Sequence, residues 1–218
     1  MKTSTQLQKD VIEELRWDFN TRDCEIGVAA MDGVVTLSGV VPSYSKKLAA
    51  ERAAERVSGV RAIAEELTVK VPSSCKRTDT ELAHAAVGAL KWDIDVPDDT
   101  IHLKVENGWI TLDGSVQSHF ERAAAERAVR NLTGVHGLSN RIKIQAASVK
   151  PDEVVQKIKA ALHRSTEFES SNIVVETMDG RVTLRGSVRS WAERMDAERA
   201  AWQAPGVTAL DDQLVVST

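Results

Sequence analysis

Long apolar runs are missing from this sequence of 218 residues. No stretch approaches the length of about 20 apolar residues that a membrane-spanning helix needs. The first residues, MKTSTQLQKDVIEEL, also lack the run of about seven to fifteen apolar residues that defines a secretory signal. The sequence as written therefore predicts a cytoplasmic protein without a transmembrane segment.

An excess of basic residues is missing too. The chain has 28 Lys and Arg against 32 Asp and Glu, a formal net charge of -4 and a pI of about 5.8. Proteins that hold nucleic acid usually present a basic face, because they neutralise phosphates. The charge balance argues against nucleic acid as a partner.

Cysteine is scarce, and the residues that could build a catalytic site are scattered. Cys24 and Cys75 have no metal-ligand spacing, and we expect both to be free thiols. The five histidines occupy five different positions of the pattern described below and share no partner. The glycines do not form a phosphate-binding loop. We therefore predict no catalytic residues, no metal, no cofactor and no enzymatic activity.

What the sequence does contain is a repeat. The stretch NGWITLDGSVQSHFERAAAERAVRNLTG, residues 107–134, has counterparts that begin at Asp32 and Asp179. Each copy starts with Asp-Gly or Asn-Gly, has a second glycine six residues after the first, and a third glycine 20 residues later. Equal spacings in three copies indicate a tandem repeat. The predicted units are residues 4–70, 79–145 and 151–217, called units 1, 2 and 3 here.

The pattern within each unit predicts its secondary structure. Apolar residues spaced four apart, such as Leu7, Val11 and Leu15, predict an amphipathic helix. Two short alternating strands follow, joined by the Asp-Gly or Asn-Gly pair that favours a type I′ hairpin. An alanine-rich helix and a final strand complete the unit. The predicted fold class is α+β, with three tandem α-β-β-α-β units, each a three-stranded sheet covered on one face by two helices.

Single residues predict how these elements begin and pack. Ser4 and Asp79 are expected to cap the first helices of units 1 and 2. Capping boxes are expected at the second helices of units 2 and 3, where a glutamate follows the capping serine by three residues. The residues concerned are Ser118 with Glu121 and Ser190 with Glu193. A glycine in each second strand should let the alanine-rich helix approach the backbone. These glycines are Gly39, Gly114 and Gly186.

Each unit resembles a BON domain, the module named for bacterial osmotically inducible and nodulation proteins. The resemblance rests on DGVVTLSGVV and AERAAERVSGV in unit 1, NGWITLDGSV and AERAVRNLTGV in unit 2, and DGRVTLRGSV and AERAAWQAPGV in unit 3. It implies an α-β-β-α-β fold, a link to osmotic or envelope stress, and binding of phospholipid or membrane surfaces. Many relatives are exported, so the resemblance implies a periplasmic location as the alternative to the cytoplasm. Proteins with several such units are often described as transport-associated.

Residues facing away from the predicted core are the candidates for binding. In unit 3, Arg181, Arg185 and Arg189 lie on the outward side of the second strand and could bind anionic headgroups or an acidic partner. The alternative is a solvated strand face with Glu176 opposite. In units 1 and 2 the outward side instead carries apolar residues, which suggests contact with another repeat or a partner. The alternative is that the exposed sheet face simply tolerates apolar residues. These candidates for inter-repeat contact are Val34, Val40 and Trp109.

The tryptophans are further candidates. Trp17 and Trp92 occupy the same position after the first helix, in LRWD and LKWD, and Trp202 stands where the other units have Glu55 and Arg130. A position that also accepts a charge is expected at the surface. Packing between repeats, contact with a partner, and contact with a bilayer interface would each explain a tryptophan there.

These observations predict a non-enzymatic binding or scaffold protein linked to osmotic or envelope stress. It would associate with anionic phospholipid or an envelope protein through Arg181, Arg185, Arg189, Trp17, Trp92 and Trp202. The alternative is a cytoplasmic protein-protein interaction module without membrane contact. A sensor of small molecules or ions is a third interpretation.

Overall fold

The computed structural model describes residues 2–147, 149–164 and 173–216, and the predicted α+β fold is confirmed in them. Unit 1 contains α1 (Ser4–Trp17), β1 (Ile26–Met31), β2 (Val34–Val41), α2 (Tyr44–Glu55) and β3 (Ala62–Val69). Unit 2 contains α3 (Asp79–Trp92), β4 (Ile101–Glu106), β5 (Trp109–Val116), α4 (His119–Arg130), β6 (Gly137–Asn140) and β7 (Lys143–Ile144). Unit 3 contains α5 (Pro151–Arg164), β8 (Val174–Met178), β9 (Arg181–Val188), α6 (Trp191–Trp202) and β10 (Ala209–Val216). The loop predicted between α5 and β8 includes residues 165–172, which lie outside the described residues, as does position 217 at the predicted end of unit 3.

Each hairpin has the geometry that its Asp-Gly or Asn-Gly pair favours. The residues flanking the turn pair with each other, Met31 with Val34 in unit 1. Both turn residues have positive φ, 50° at Asp32 and 83° at Gly33, and the turns of units 2 and 3 match them. These are the dihedral angles of a type I′ turn, whose twist suits the flanking strands. The predicted hairpins are confirmed.

The last strand of each unit pairs in parallel with the second strand, as β3 does with β2 and β10 with β9. In unit 2 this last strand is interrupted between β6 and β7. The side chain of Asn140 accepts a hydrogen bond from the amide of Ile142 at 3.2 Å and donates one to the carbonyl of Arg122 at 3.1 Å. At the interruption the backbone amide of Ile142 therefore bonds to the side chain of Asn140.

Both helices of a unit pack against one face of its sheet. In unit 1 the inward side chains of β2, Val35 and Leu37, are fully buried. They form a core with Leu7, Val11 and Leu15 of α1. Equivalent clusters fill units 2 and 3. The opposite face of each sheet is open, and Val40, Trp109 and Arg185 are exposed there.

The close backbone approach predicted at the second-strand glycines exists, but the alanine-rich helix does not make it. A Cβ atom at Gly39 would lie 2.7 Å from the carbonyl oxygen of Glu25, and one at Gly114 would lie 2.2 Å from that of Thr100. Both carbonyls precede the first strand of their unit. The two glycines have φ of 129° and 128°, which side chains rarely tolerate. The expectation about the helix was therefore wrong, since the backbone just before the neighbouring strand is what comes close.

The first helices begin one residue earlier than predicted, so that Thr3 and Thr78 are the N-caps. Ser4 and Asp79 turn to the hairpin of their own unit instead. The carboxylate of Asp79 accepts hydrogen bonds from both amides of the unit 2 turn, each at 2.8 Å. The predicted caps were wrong because these side chains tie the start of the helix to the hairpin tip.

The second helices of units 2 and 3 are capped by Ser118 and Ser190 as predicted. The glutamates of the predicted capping boxes reach one residue further back. Glu121 accepts from the amide of Gln117 at 2.7 Å, and Glu193 accepts from the amide before Ser190 at 2.5 Å. In a capping box the glutamate accepts from the amide of the capping serine itself. Here it accepts from the amide of the residue before the serine, so the predicted capping boxes were wrong in this respect.

Candidate binding surfaces

Two short segments at the ends of the first helices carry highly exposed large hydrophobic side chains in units 1 and 2. They are residues 17–19, Trp-Asp-Phe, and 92–94, Trp-Asp-Ile, called the WD loops here. Trp17 is 86% exposed and Trp92 is 91% exposed. Phe19 and Ile94, at 72% and 98%, are exposed as well. Sequence reasoning selected the tryptophans but missed Phe19 and Ile94, although their equal spacing from the tryptophans could have shown them.

The backbone of the unit 1 WD loop is fixed by hydrogen bonds and ion pairs. The buried hydroxyl of Thr21 donates to the carbonyl of Leu15 at 2.6 Å. Asp18 accepts from the guanidinium of Arg56 at 2.8 Å, and this bond is the main reason that the pKa of Asp18 is lowered. The guanidinium of Arg22 lies 4.4 Å from the ring centroid of Phe19. The exposed side chains are therefore presented by an ordered backbone.

The unit 2 WD loop is anchored in the same way. The amide of Asp95 bonds to the Asp93 carboxylate at 3.0 Å, and the amide of Val96 bonds to the Asp93 carbonyl at 3.1 Å. The side chain of Val96 is buried in the unit 2 core. Residues 91–99 carry four aspartates and one lysine, so this loop is acidic.

The arginines predicted on unit 3 are exposed. Arg181 and Arg185 lie on the open face of the sheet, and Arg189 follows the end of β9. Arg185 bonds to Glu176 and to Gln213, both at 2.9 Å. Among the described residues, neither of the other two guanidiniums has a carboxylate within ion-pair distance. Glu176 therefore lies opposite Arg185, and both interpretations of the three arginines, an anion-binding surface and a solvated strand face, stay predictions.

The residues predicted to contact another repeat lie on open sheet faces. Val34 is 42% exposed and Val40 is 52% exposed. Trp109 is half-exposed, lies over Gly137, and donates from its indole nitrogen to the hydroxyl of Ser139 at 3.0 Å. Contact of these residues with another repeat or molecule stays a prediction.

Trp202 is placed differently from the other two candidate tryptophans. It packs against the cores of both unit 2 and unit 3, and its ring stacks on His119 of unit 2 with 4.1 Å between ring centroids. Burial lowers the pKa of His119, and the neighbouring charge of Arg122 lowers it further. Of the three explanations for a tryptophan at this position, the structure therefore supports packing between repeats.

The side chains that could ligate a metal ion are dispersed over the described residues. Within residues 2–147, 149–164 and 173–216, no group of three or more His, Cys, Asp or Glu is arranged to hold a metal ion. Cys24 and Cys75 are half-buried free thiols, as predicted. In the same ranges no helix is long and apolar enough to cross a membrane.

The fold defines a class, the repeat proteins built from tandem α-β-β-α-β units. The model of the BON domain family matches residues 3–71, 78–146 and 152–218. The chain belongs to the BON domain family, with three copies of the domain. The family resemblance predicted from the glycine framework is confirmed.

Comparison with known proteins supports this assignment. The chain is similar to osmotically-inducible protein Y of Escherichia coli strain K12, with 30% identity over 157 residues, which cover 66% of this chain and 78% of the relative. Family and relative together place the chain among proteins related to osmotic or envelope stress.

Two solved structures of CdsD, a structural protein of the type III secretion system of Chlamydia trachomatis, are also similar. One is 14% identical, covers 97% of this chain and 92% of that chain, and has a TM-score of 0.27. The other, its C-terminal domain, is 15% identical, covers 100% of both chains and has a TM-score of 0.26. At these TM-scores the similarity carries no argument about function.

Proposed function

We propose that this chain is a non-enzymatic binding protein of the osmotic or envelope stress response, and that its WD loops bind a protein partner. The observation that carries the proposal is the exposure of Trp17 and Trp92, 86% and 91%, at equivalent positions of two units. Burying a large apolar side chain contributes about 1.5 to 3 kcal/mol. Both side chains stay exposed in the folded chain and contribute little of this energy to its stability. Their burial in a complex would stabilise that complex.

The charges near the WD loop of unit 2 favour a protein over an anionic bilayer. Four aspartates and one lysine are found within residues 91–99, whereas in unit 1 Asp18 pairs with Arg56 and Asp23 pairs with Arg22. Carboxylates beside an inserting tryptophan would be repelled by anionic headgroups. A protein surface with apolar pockets and basic neighbours would accept both features.

Site-specific photocrosslinking in the native cell tests this proposal. A photoreactive phenylalanine analogue at position 19 or 94 of the full chain should yield a protein adduct of defined mass. Trp17→Ser should abolish the adduct formed at position 19, because it removes the neighbouring anchor. The matched control places the analogue at Met178, which is 73% exposed in unit 3 and should form no such adduct. If positions 19 and 94 crosslink no more than position 178, the proposal is wrong.

A second candidate function is binding of anionic phospholipid through the open face of unit 3. The observation that favours it is the exposed set Arg181, Arg185 and Arg189, of which only Arg185 has a carboxylate partner among the described residues. Arginine pairs well with phosphate because its planar fork donates several hydrogen bonds.

Vesicle flotation tests the lipid hypothesis. Vesicles of phosphatidylglycerol and phosphatidylethanolamine should retain the full chain at low salt, where screening is weakest. Changing Arg181, Arg185 and Arg189 to Ser should release it. A variant with Lys9, Lys157 and Lys159 changed to Ser loses the same number of charges from exposed helix positions and should stay bound. If the unmodified chain does not float at low salt, lipid binding is rejected.

The compartment is part of the proposal as well. Protein binding without membrane contact suits a cytoplasmic interaction module, and lipid or envelope binding also suits the periplasm. Fractionation of native cells distinguishes these locations. A pool found only in the cytosol would favour the interaction module and would count against an envelope role.

A further inference from the structure

Strand β4 forms one edge of the unit 2 sheet, because it pairs with β5 and with no other strand among the described residues. The residues that flank the hairpin turn, Glu106 and Trp109, are partners in this pairing. In a two-residue hairpin such a pair is hydrogen-bonded, and hydrogen-bonded pairs alternate along the strand with pairs that are not. The backbone amides and carbonyls of Leu103 and Val105 therefore point away from β5, toward the open edge.

In unit 1 a side chain covers the equivalent edge. The side-chain amide of Gln8 on α1 donates a hydrogen bond to the carbonyl of Val28 at 2.7 Å. Val28 is the counterpart of Leu103, so this bond agrees with the outward direction of the carbonyl at this position. In unit 3 the position of Gln8 holds Val155, whose side chain packs on the core of that unit. Units 1 and 3 thus carry a large side chain at this position.

Unit 2 lacks this cover. Ala83 stands at the position of Gln8, and its methyl group cannot bond to a carbonyl. A groove of about 750 Å³ is open between α3 and β4 at this point. Its lining includes Leu103, Val105 and Val87, and the last of these is 42% exposed. An open strand edge beside an apolar groove offers a partner both backbone hydrogen bonds and space for side chains.

One end of the groove is acidic. Asp98 lines the groove next to Ile101, where β4 begins. It belongs to residues 91–99, which contain four aspartates and one lysine. At the opposite end the carboxylate of Asp79 already accepts hydrogen bonds from the two amides of the hairpin turn. Charge complementarity therefore favours a ligand with a basic residue at the Ile101 end.

We propose that the edge of β4 binds an extended peptide segment of another protein, which adds a strand to the unit 2 sheet. Alternate apolar side chains of this segment enter the groove over Ala83 and Val87, and a Lys or Arg lies against Asp98. Backbone hydrogen bonds to Leu103 and Val105 provide affinity, and the groove provides specificity. This site is separate from the WD loops, so the inference and the proposed function can fail independently of each other.

Peptide display tests which ligands the edge accepts. A random library of peptides about nine residues long, enough to span a strand, is selected on the purified full chain. Selected sequences should alternate apolar with polar residues and carry a basic residue near one end. A selection that yields no binder, or only peptides without this alternation, overturns the proposal.

A matched pair of variants locates the bound peptide. Ala83→Gln gives unit 2 the residue that covers the edge in unit 1. It should weaken binding of a selected peptide at least roughly tenfold, because the Leu103 carbonyl is occupied and the groove is partly filled. Ala85→Gln makes the same chemical change at an exposed position of α3 and should leave the affinity unchanged. Calorimetric titration measures both affinities, and circular dichroism shows that both variants fold. Equal affinities would place the peptide elsewhere and overturn the proposal.

Strand addition is tested at the backbone of both molecules. The amides of Leu103 and Val105 should exchange rapidly with solvent in the free chain and become protected when the peptide binds. In the peptide, alternate amides point to opposite sides, so N-methylation of every second residue should abolish binding in one register and spare it in the other. Equal effects in both registers, or unprotected amides at Leu103 and Val105, would mean that no strand is added.

A second copy of the chain is the alternative occupant. Two β4 edges would then pair with each other, and the chain alone would form a dimer that Ala83→Gln dissociates and Ala85→Gln does not. Sedimentation equilibrium without peptide measures this. Such a dimer would overturn the proposal of a separate peptide partner, whereas a monomer that binds the selected peptides is the expected result.

Discussion

Trp202 and His119 stack face to face across the boundary between units 2 and 3, with ring centroids 4.1 Å apart and planes inclined by 14°. The guanidinium of Arg122 lies 5.9 Å from the Trp202 ring. The indole of Trp202 thus makes both a stacking contact and a cation-π contact, and it packs against the hydrophobic cores of units 2 and 3. A residue in a variable position of the repeat holds neighbouring units together.

Replacing the indole of Trp202 should weaken the contact between units 2 and 3 and lower the stability of the chain. Trp202→Ala removes the stacking partner and leaves a cavity between the two cores, so we expect the free energy of unfolding to fall by about 2 to 3 kcal/mol. Denaturant unfolding followed by circular dichroism measures the change. Trp92→Ala is the control, since its side chain is 91% exposed and should alter stability by less than about 0.5 kcal/mol. Equal effects of the two substitutions would mean that the stack contributes nothing to stability.

Replacing glycine by alanine should change stability in opposite directions at two positions, Gly114 in β5 and Gly88 in α3. At Gly114 an added Cβ would meet the carbonyl oxygen of Thr100 at 2.2 Å, and φ is 128°. Gly114→Ala should therefore cost at least about 2 kcal/mol of unfolding free energy. At Gly88, within α3, a Cβ would meet no atom within 4 Å. Gly88→Ala should stabilise the protein by about 0.5 to 1 kcal/mol because alanine favours helix.

Thermal and denaturant unfolding of the two alanine variants checks this pair. Each variant is the control for the other, because the chemical change is identical. If Gly114→Ala were as stable as the unmodified chain, the strained conformation assigned to Gly114 would be wrong.

The sequence predicted those features that depend on neighbouring residues in the chain. The hairpins followed from Asp32-Gly33 and its counterparts because few other pairs adopt two positive φ angles. The burial of Leu37 and its equivalents followed from the alternation of the strand. What approaches Gly39 depends on tertiary packing, which no local pattern shows. That is why the neighbouring strand was missed there.

The contacts between units could not be predicted because the pattern within one unit does not show which residue of another unit a side chain meets. Tyr44 and His119 share a position and are both aromatic, yet Tyr44 packs on the core of unit 2 and His119 stacks on Trp202 of unit 3.

The N-cap of α6 predicts a moderate loss of stability. The hydroxyl of Ser190 accepts a hydrogen bond from the amide of Glu193 at 3.1 Å. Ser190→Ala leaves that amide without its acceptor, so we expect a cost of about 1 kcal/mol. Ser187→Ala, on the open face of the same unit, is the control and should lie within about 0.5 kcal/mol of the unmodified chain. Chemical unfolding of the full chain measures both, and a cost at Ser187 equal to that at Ser190 would contradict the role of the cap.

Glu198 on α6 predicts a dependence of stability on pH. Burial, a hydrogen bond with Asp212 and the charge of Asp212 raise the pKa of Glu198 from 4.5 to about 7. Arg194 opposes this shift, and Glu55 of unit 1 adds to it. A carboxyl group with a raised pKa is protonated in the folded chain while the unfolded chain has already lost the proton.

The sign of the effect follows from proton linkage. Between pH 4.5 and about 7 the folded state binds more protons at Glu198 than the unfolded state does. The free energy of unfolding should therefore fall as the pH rises through this range, and the contribution of Glu198 should not change further above it. Asp212 has a lowered pKa, so its contribution is lost only when the pH falls below its ordinary value of 3.8, outside this window.

Glu198→Gln tests the assignment, because an amide imitates the protonated acid at every pH. Unfolding free energies measured from pH 5 to pH 8 should fall less steeply for this variant than for the unmodified chain. Some slope should remain, since burial also raises the pKa of Glu51 and Glu55. Glu13→Gln, at an exposed position of α1, is the control and should keep the full slope. If Glu198→Gln shows the same slope as the unmodified chain, the proton responsible for this pH dependence is not on Glu198.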